Sequence, residues 1–299
     1  MVEHPPARNL ALSIFLALRP HHWAKNLLVF IPAAAAHRLA ELPILSNALL
    51  AFTAFGLCAS ATYILNDLFD IEADRRHPRK RQRPFAAGQL APAFGVALAS
   101  AMLVAAVLIA LLLPAAFLLL LAGYFALTLA YSLFLKRLVL VDTIVLAALY
   151  ALRVISGAAA VAVAPSFWLS LFCIFLFLSL ALLKRYAELA DLRVRGELQI
   201  VGRGYRIADL PILHSLGCAA GYLCVLVLGL YMNAPAIESL YRHPQVIWLL
   251  CLILLYWISR VWLIAHRGEM HDDPLVFAFT DKTSLALGVL AALAVWLAI

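Results

Sequence analysis

The chain has 299 residues, of which 66% are hydrophobic and 13% are charged, and its mean hydropathy is +0.97. Ordinary soluble domains do not have such a composition, so the chain is predicted to be an integral membrane protein. The net charge of +7 does not require nucleic acid as a partner, because loops on one side of a membrane account for it. The five cysteines lie in apolar segments without the spacing of metal ligands, as is typical of small buried side chains.

Apolar stretches of membrane-spanning length follow one another along the chain. Residues 1–23 are predicted to be cytoplasmic or interfacial, with a short interfacial helix over 10–18. The apolar stretches lie near 24–40, 45–66, 92–113, 115–135, 139–162, 166–186, 210–232, 244–265 and 278–298. Each is close in length to the ~20 residues that a helix needs to cross the hydrocarbon core. The sequence therefore predicts an all-α polytopic membrane protein with nine transmembrane helices in a single domain, residues 1–299.

The basic residues are concentrated in alternate loops. All but three of the 23 Lys and Arg residues lie on one side; Arg38 and Arg242 lie in opposite loops and Arg153 lies within a span. Cytoplasmic loops carry an excess of Lys and Arg, so the crowded side is predicted to be cytoplasmic. Of the 16 acidic residues, only Glu41 and Glu238 fall in the outer loops. The chemistry is therefore expected at the cytoplasmic mouth of a helix bundle.

Three aspartates mark the end of the second apolar stretch and the start of a cytoplasmic loop, 67–91. Asp67, Asp70 and Asp74 recur at i, i+3 and i+7, so they share one face if the helix continues. Asn66 and Glu72 add two more oxygen donors nearby. Carboxylates on one face repel each other unless a cation lies among them, and Mg²⁺ is typically bound by one or two carboxylates plus substrate phosphates. The stretch therefore predicts a Mg²⁺ site formed by Asn66, Asp67, Asp70 and Asp74.

Basic residues follow the aspartates directly. They are Arg75, Arg76, Arg79, Lys80, Arg81 and Arg83. Guanidinium and ammonium groups neutralise phosphate charge, so a metal site beside this run suggests diphosphate chemistry. The alternative is a solvated loop that obeys the positive-inside rule, which explains the basic residues well and the spacing of the aspartates poorly.

A second charged segment covers the end of the sixth apolar stretch and the loop 187–209. Lys184, Glu188 and Asp191 lie at i, i+4 and i+7 on one helical face, beside Arg185 and Tyr186. Snorkelling of Lys and Arg side chains to the interface is the alternative explanation. Two charged helix ends on the same side of the membrane favour a shared cavity.

Polar and ionisable residues inside the spans are costly and are therefore candidates for function. Asp142 follows Lys136 near the cytoplasmic entrance, and Arg153 lies about three turns deeper on the same face. Structural pairing within the bundle is the alternative for both. Lys25 and Asn26 lie about one turn inside the first span, where a solvated position is less favourable.

The last cytoplasmic loop is also rich in ionisable residues. It contains His266, Arg267, Glu269, His271, Asp272 and Asp273. Their spacing matches no closed zinc site, so a solvated loop is the default expectation. Asp281, at the entrance of the ninth span, is the exception and is a candidate cavity residue.

Several separate motifs resemble those of the UbiA superfamily of intramembrane prenyltransferases. The pattern Asn66-Asp67-x-x-Asp70-x-x-x-Asp74 resembles the first aspartate-rich motif of that family. Three further stretches resemble its decaprenyl-phosphate phosphoribosyltransferase branch: Arg19 to Asn26, His77 to Gly88 and Lys184 to Leu189. The place of the family's second aspartate-rich motif holds only Glu188 and Asp191 among basic residues, which favours a phosphoribosyl donor over a prenyl diphosphate.

The resemblance implies nine helices in a bacterial-type inner membrane, around a central cavity open to the cytoplasmic side. It implies Mg²⁺-dependent transfer of 5-phosphoribosyl from phosphoribosyl diphosphate to a polyprenyl phosphate of the decaprenyl type, with release of diphosphate, for cell-envelope glycan synthesis. On this basis the catalytic residues would be Asp67, Asp70, Asp74, Lys184 and Glu188. Substrate and phosphates would contact Lys25, Asn26, Lys80, Arg81, Arg83, Lys136, Asp142, Arg153, Arg185 and Tyr186.

Three other functions remain open at this point. A UbiA-type prenyltransferase would move a polyprenyl group from its diphosphate to an aromatic or other acceptor, and it would need an apolar acceptor pocket and a proton acceptor. A transporter usually binds its substrate near the midplane, whereas the charge here lies at one face. A lipid-binding or scaffold protein would explain the basic loops but not the spacing of the aspartates.

Overall fold

The computed structural model describes residues 9–76, 80–194, 203–234, 237, 240–270 and 273–299. The expectations for Arg79, Glu238, His271 and Asp272 therefore lie outside the described residues. Within these ranges the chain is helical and contains no β-strand. The α-helices are α1 (Leu10–Leu18), α2 (Ile31–Ala35), α3 (Leu42–Phe69), α4 (Ile71–Arg76), α5 (Pro92–Ala110), α6 (Ala115–Leu133), α7 (Val141–Ala160), α8 (Phe167–Val194), α9 (Leu210–Tyr231), α10 (Trp248–His266), α11 (Pro274–Thr280) and α12 (Lys282–Ala298).

Seven helical segments in the described part of the chain are long and apolar enough to cross a membrane. They are α3, α5, α6, α7 and α8, α9 with the 3-10 turn before it, and α10 with the 3-10 turn before it. The pair α11 and α12, bent by 76°, makes an eighth if it is counted as one broken span. The chain is therefore an integral membrane protein, with seven or eight such spans among the described residues rather than the nine predicted.

The predicted first span, 24–40, accounts for the difference. It consists of a 3-10 helix, Pro20–Phe30, which continues into the five-residue helix α2. Proline at either end and the buried polar residues Lys25 and Asn26 interrupt a regular α-helix here. Because a 3-10 helix rises by ~2.0 Å per residue, the eleven residues of Pro20–Phe30 cover about 22 Å, which is less than the ~30 Å of the hydrocarbon core.

The structure divides into two compact units, and the first comprises residues 1–132 and 152–164. In it α3 packs along α5, and a core cluster joins α1, α3 and α5. Phe85 and Leu90, which follow the basic run, are buried in this cluster against Ile64. The segment after the basic run is therefore fixed on the helices, which differs from the solvated loop considered as the alternative.

The 3-10 helix Pro20–Phe30 packs closely on two helices of the first unit. A Cβ atom at Gly157, in the second part of α7, would lie 2.1 Å from the carbonyl oxygen of Val29. On the other side, Trp23 covers Gly56 of α3 and donates its Nε1–H to Ser60 Oγ at 3.0 Å. The close approach at Gly157 therefore requires the absence of a side chain.

Gly157→Ala is accordingly expected to destabilise the protein by about 1–3 kcal/mol, the range for excess volume in a packed core. The contact is with a carbonyl group rather than with the end of a flexible side chain, so the backbone must shift. Thermal denaturation in detergent measures the effect. Gly123→Ala in α6 is the matched control, because a Cβ there meets nothing within 4 Å and alanine favours a helix. Equal melting temperatures for the two variants would contradict the prediction.

The second unit comprises residues 133–151 and 165–299. Here α8 packs along α9, and α10 contacts α8, α9 and α12. Ser179 of α8 joins three of these helices, because its hydroxyl donates to the Gly217 carbonyl at 2.7 Å and accepts from Trp262 Nε1 at 3.1 Å. All five cysteines of the chain are free thiols, and four of them are buried.

Candidate functional site

In the first unit, two of the three predicted metal-binding aspartates accept hydrogen bonds from the same guanidinium group. The carboxylates of Asp67 and Asp74 are buried, and both accept hydrogen bonds from Arg83 Nη1, at 3.1 Å and 2.7 Å. Arg19 Nη2 lies 2.6 Å and 2.8 Å from the two carboxylate oxygens of Asp67. The i, i+7 spacing therefore brings Asp67 and Asp74 to a common position, where guanidinium groups balance their charge.

The helix does not continue unbroken through the three aspartates. α3 ends at Phe69, Asp70 is its C-terminal cap, and α4 begins at Ile71. The backbone bonds Asp70 N to Asn66 O (3.0 Å) and Asp74 N to Asp70 O (2.8 Å) keep the turn nearly helical across the break. The Asp70 side chain accepts from Asn66 Nδ2 at 3.3 Å, so these two predicted ligands contact each other.

The donor set of the first unit suits a divalent cation that arrives with a phosphate ligand. Among the residues that the structure describes, no three His, Cys, Asp or Glu side chains form a group that could hold a metal ion. Mg²⁺, however, is commonly bound by one or two carboxylates, with the remaining ligands supplied by water and substrate phosphates. Asp67 and Asp74 already direct oxygens at one cationic nitrogen, which is the arrangement that such an ion requires.

The predicted basic residues of this region fall into two groups. Lys80 and Arg81 are exposed, as expected of side chains that meet a soluble phosphate compound. Lys25 is buried, and Arg75 donates its Nε–H to the Ala86 carbonyl at 3.2 Å. Arg75 is therefore used, at least in part, to hold the segment after the basic run in place.

Asn26 and Arg153 form a buried polar cluster inside the first unit. Arg153 Nε donates to Asn26 Oδ1 at 3.0 Å, and its Nη2 donates to the Tyr124 hydroxyl at 2.7 Å. The guanidinium also lies 4.7 Å from the centre of the Tyr124 ring. The cluster connects the 3-10 helix Pro20–Phe30 to α6 and α7, so Arg153 has hydrogen-bond partners within the protein, and its predicted contact with substrate stays a prediction.

In the second unit, Lys184 belongs to a contact that the sequence does not suggest. Its Nζ lies 2.7 Å from Asp273 Oδ2, and 29% of the side chain is exposed. Asp273 also caps the N-terminus of α11 by accepting from Leu275 N at 3.1 Å, and the Tyr150 hydroxyl lies 3.5 Å from both of its oxygens. The solvated position expected for Asp273 is therefore wrong, because helix capping and an ion pair fix its carboxylate.

Arg185, Asp142 and Glu188 belong to one network in the same unit. Arg185 Nη2 is 2.8 Å from Asp142 Oδ2, and neither side chain has any exposed surface. Arg185 Nη1 also pairs with Glu188, which pairs in addition with Arg203 Nη1 at 3.0 Å. The Tyr205 hydroxyl donates to Asp142 Oδ1 at 2.5 Å. Asp142 and Arg185, both predicted to contact substrate, are thus enclosed by protein.

The remaining predicted residues lie outside this network. Tyr186 is buried, and its hydroxyl lies 3.1 Å from His266 Nδ1. Lys136 is half-buried in the 3-10 turn Leu135–Arg137. Asp281 accepts from Ser284 N at 2.8 Å as the N-cap of α12 and pairs with Arg260 at 2.7 Å.

Four residues that the sequence did not single out as site residues belong to these contacts. They are Arg19, Arg203, Tyr205 and Asp273. Arg19 lies 48 residues before Asp67 and has φ of 51°, which turns the chain sharply just before Pro20. Two sequence signals pointed to Arg19: its positive charge next to proline, and its place at the start of the Arg19 to Asn26 stretch that resembles the phosphoribosyltransferase branch.

Comparisons with known proteins agree on the family. A model of the UbiA prenyltransferase family matches residues 26–283. The protein y4nM of Sinorhizobium fredii is 41% identical over 92% of this chain, which spans 54% of that protein, or about half its length. Nodulation protein NoeC of Azorhizobium caulinodans is 37% identical over 90% of this chain and 87% of its own. Decaprenyl-phosphate phosphoribosyltransferase of Mycobacterium tuberculosis is 38% identical over 75% of this chain and 76% of its own.

Solved structures have the same fold. A UbiA homologue from Archaeoglobus fulgidus bound to GPP and Mg²⁺ superposes with a TM-score of 0.70 at 17% identity, covering 95% of this chain and 97% of that one. The apo structure of a UbiA homologue from Aeropyrum pernix gives a TM-score of 0.57 at 19% identity, covering 97% of this chain and 98% of that one. Because the family match extends over most of its length, the chain is a member of the UbiA prenyltransferase family.

Proposed function

We propose that this membrane enzyme transfers 5-phosphoribosyl from phosphoribosyl diphosphate to a polyprenyl phosphate. The bond between C1 of the ribose and the diphosphate oxygen breaks, and the diphosphate leaves with the electron pair. A phosphate oxygen of the lipid forms the new bond to C1. Relatives at 35–38% identity that are named decaprenyl-phosphate phosphoribosyltransferase support this donor and acceptor.

The observation that carries the proposal is that Glu188 forms ion pairs with two arginines. Its carboxylate is bonded to two guanidinium groups, those of Arg185 and Arg203, and is therefore already neutralised by protein. Unlike the pair Asp67 and Asp74, Glu188 is a single carboxylate, so it offers a metal ion fewer oxygen ligands, whereas its two guanidinium partners suit phosphates. Phosphoribosyl diphosphate has phosphates at both ends and the lipid brings a third, so this donor requires more fixed cations than a prenyl diphosphate does.

The residues of the first unit would bind the leaving group. Asp67 and Asp74 would hold Mg²⁺, which when bound stabilises the charge that develops on the diphosphate. Arg19 and Arg83, at the same position, would bind phosphate oxygens and keep the two carboxylates oriented. Lys80 and Arg81, both exposed, would attract the anionic donor.

The acceptor requires little activation. A lipid phosphate is ionised near neutral pH, so it attacks without a general base, and the protein's main contribution is to hold two anions that repel each other. This requirement distinguishes the reaction from prenylation of an aromatic ring, which needs a proton acceptor.

Direct assay tests the reaction. Purified protein incubated with Mg²⁺, polyprenyl phosphate and phosphoribosyl diphosphate is expected to form a lipid-linked phosphoribose that mass spectrometry detects, together with free diphosphate. Omission of Mg²⁺ should abolish both products. Undetectable binding of phosphoribosyl diphosphate, with clear binding of a prenyl diphosphate analogue, would instead favour a prenyltransferase.

Lys184→Ala is expected to weaken binding of phosphoribosyl diphosphate by about 10- to 150-fold, equivalent to ~1.5–3 kcal/mol for a hydrogen bond to a charged group. Lys184 is partly exposed, so its ammonium group can reach a phosphate while it pairs with Asp273. Calorimetry with Mg²⁺ present measures the affinity. Lys282→Ala, which removes an exposed lysine at the start of α12, is the control and should bind normally. Equal affinities would remove Lys184 from the proposed site.

We also propose that both charged segments face the cytoplasm. A cysteine introduced at Arg81 should then be protected from a membrane-impermeant thiol reagent in intact cells, and one at Glu41 should be labelled. Both positions are exposed, so access to the reagent depends on the side of the membrane. Cys218→Ser in the background removes the one native thiol that is not buried. The reverse labelling pattern would overturn this orientation.

A further inference from the structure

Tyr205 lies between α8 and α9 in the sequence, after the charged end of α8, and two hydrogen bonds hold its side chain in place. Its hydroxyl donates to Asp142 Oδ1 at 2.5 Å and accepts from Leu140 N at 2.8 Å, so both of its hydrogen-bonding functions are used. The side chain is almost completely buried. Burial and the adjacent Asp142 carboxylate raise the pKa of Tyr205 to about 12, so the hydroxyl remains a donor at any physiological pH.

The network that begins at Tyr205 ends at the surface. Asp142 and Arg185 are fully enclosed, Glu188 is 36% exposed and Arg203 is 24% exposed. Two carboxylates and two guanidinium groups balance in charge, so the buried part needs no external ion. Arg203 is the cation of this network that solvent reaches, and Glu188 contacts its Nη1, so the solvent-facing part of the guanidinium can meet a ligand.

We infer that Arg203 is a further phosphate-binding residue and that Tyr205 is the residue that positions it. The two are separated in sequence only by Gly204, and a Cβ atom at Gly204 would lie 2.7 Å from a methyl group of Val139. Tyr205 therefore fixes the backbone of this segment from one side while Glu188 fixes the Arg203 side chain from the other. The ligand is an anionic phosphate group, for which inorganic diphosphate is a soluble probe, so the assignment rests on the proposed phosphate chemistry but not on the group that the phosphate carries.

Binding of inorganic diphosphate with Mg²⁺ tests the assignment by calorimetry. Arg203→Gln is expected to weaken binding about tenfold, since it removes one charge-assisted contact. Tyr205→Phe, which removes only the hydroxyl, is expected to weaken binding about threefold to tenfold. The double variant should bind no more weakly than Arg203→Gln alone, because Tyr205 acts through Arg203.

Two matched controls should bind diphosphate normally. Arg206→Gln changes an exposed arginine of the same segment, and Tyr222→Phe changes an exposed tyrosine whose hydroxyl contacts Ser259.

Limited digestion with trypsin provides a measurement that needs no ligand. If Tyr205 fixes the segment, Tyr205→Phe should be cleaved about tenfold faster after Arg203 and Arg206, as new fragments beginning at Gly204 and Ile207. Should Tyr205→Phe not be recovered folded, Tyr205→His, which keeps a ring N–H donor, is expected to be cleaved at an intermediate rate.

Several results would overturn the inference. These are equal diphosphate affinity for Arg203→Gln and Arg206→Gln, additive effects in the double variant, unchanged cleavage in the Tyr205 variants, or no diphosphate binding by the unmutated protein. If diphosphate binds as expected but phosphoribosyl diphosphate is not a substrate, only the proposed function fails.

Discussion

Asp67→Asn is expected to reduce turnover by about 10²–10³-fold, the cost of removing one group that stabilises charge in a transition state. Asp67 is buried and accepts from both Arg19 and Arg83, so the substitution removes the charge on which two guanidinium groups converge. It also removes one of the two carboxylates proposed to hold Mg²⁺. Release of diphosphate by the purified protein measures turnover, and binding of Mn²⁺ followed by electron paramagnetic resonance measures the metal site without turnover.

The folded state is expected to survive this substitution. Arg19 and Arg83 are 17% and 24% exposed, so both can be solvated when the carboxylate is lost. Glu72→Gln is the control, because Glu72 lies two residues after Asp70 on α4 and is exposed. It should retain normal turnover and Mn²⁺ binding. Near-normal turnover of Asp67→Asn at limiting Mg²⁺ would contradict the proposed metal site and would leave the aspartates with a structural role only.

Helix positions were predictable because the membrane dictates the length and composition of each span. The stretch expected near 92–113 is α5, Pro92–Ala110, and the stretch near 210–232 is α9, Leu210–Tyr231. Proline at the first turn marks both starts, since it needs no hydrogen-bonded N–H there. The 3-10 helix Pro20–Phe30 was not predictable, because an apolar stretch looks the same whether its bonds run to the third or the fourth residue.

The candidate site was predictable only where its residues are close in sequence. Helical periodicity brings Asp67 and Asp74 to one face, and the structure places both on Arg83. Contacts between distant segments follow from packing instead. No local pattern connects Arg19 with Asp67 or Lys184 with Asp273, which lie 48 and 89 residues apart.

Adjacent charged residues that look equivalent in the sequence can differ in their exposure to solvent. Lys184 and Arg185 are adjacent in sequence, but successive residues of a helix point about 100° apart. Lys184 therefore reaches solvent, whereas Arg185 is directed into the unit against Asp142. The sequence predicted a substrate contact for both, and the structure leads to different expectations for the two.

Arg185→Ala is expected to destabilise the protein by about 3–5 kcal/mol, because it leaves the fully enclosed carboxylate of Asp142 without its cation. Tyr205 still donates one hydrogen bond to that carboxylate, but a neutral donor does not replace a charge. Thermal denaturation in detergent measures the loss.

Arg260→Ala is the matched control, since the Arg260–Asp281 pair is 22% and 16% exposed and water can replace the lost partner. Replacing both enclosed residues, as Asp142→Leu with Arg185→Met, should be less destabilising than Arg185→Ala, because no uncompensated charge remains. An Arg185→Ala variant that melts like Arg260→Ala yet loses affinity for phosphoribosyl diphosphate would instead identify Arg185 as a substrate contact.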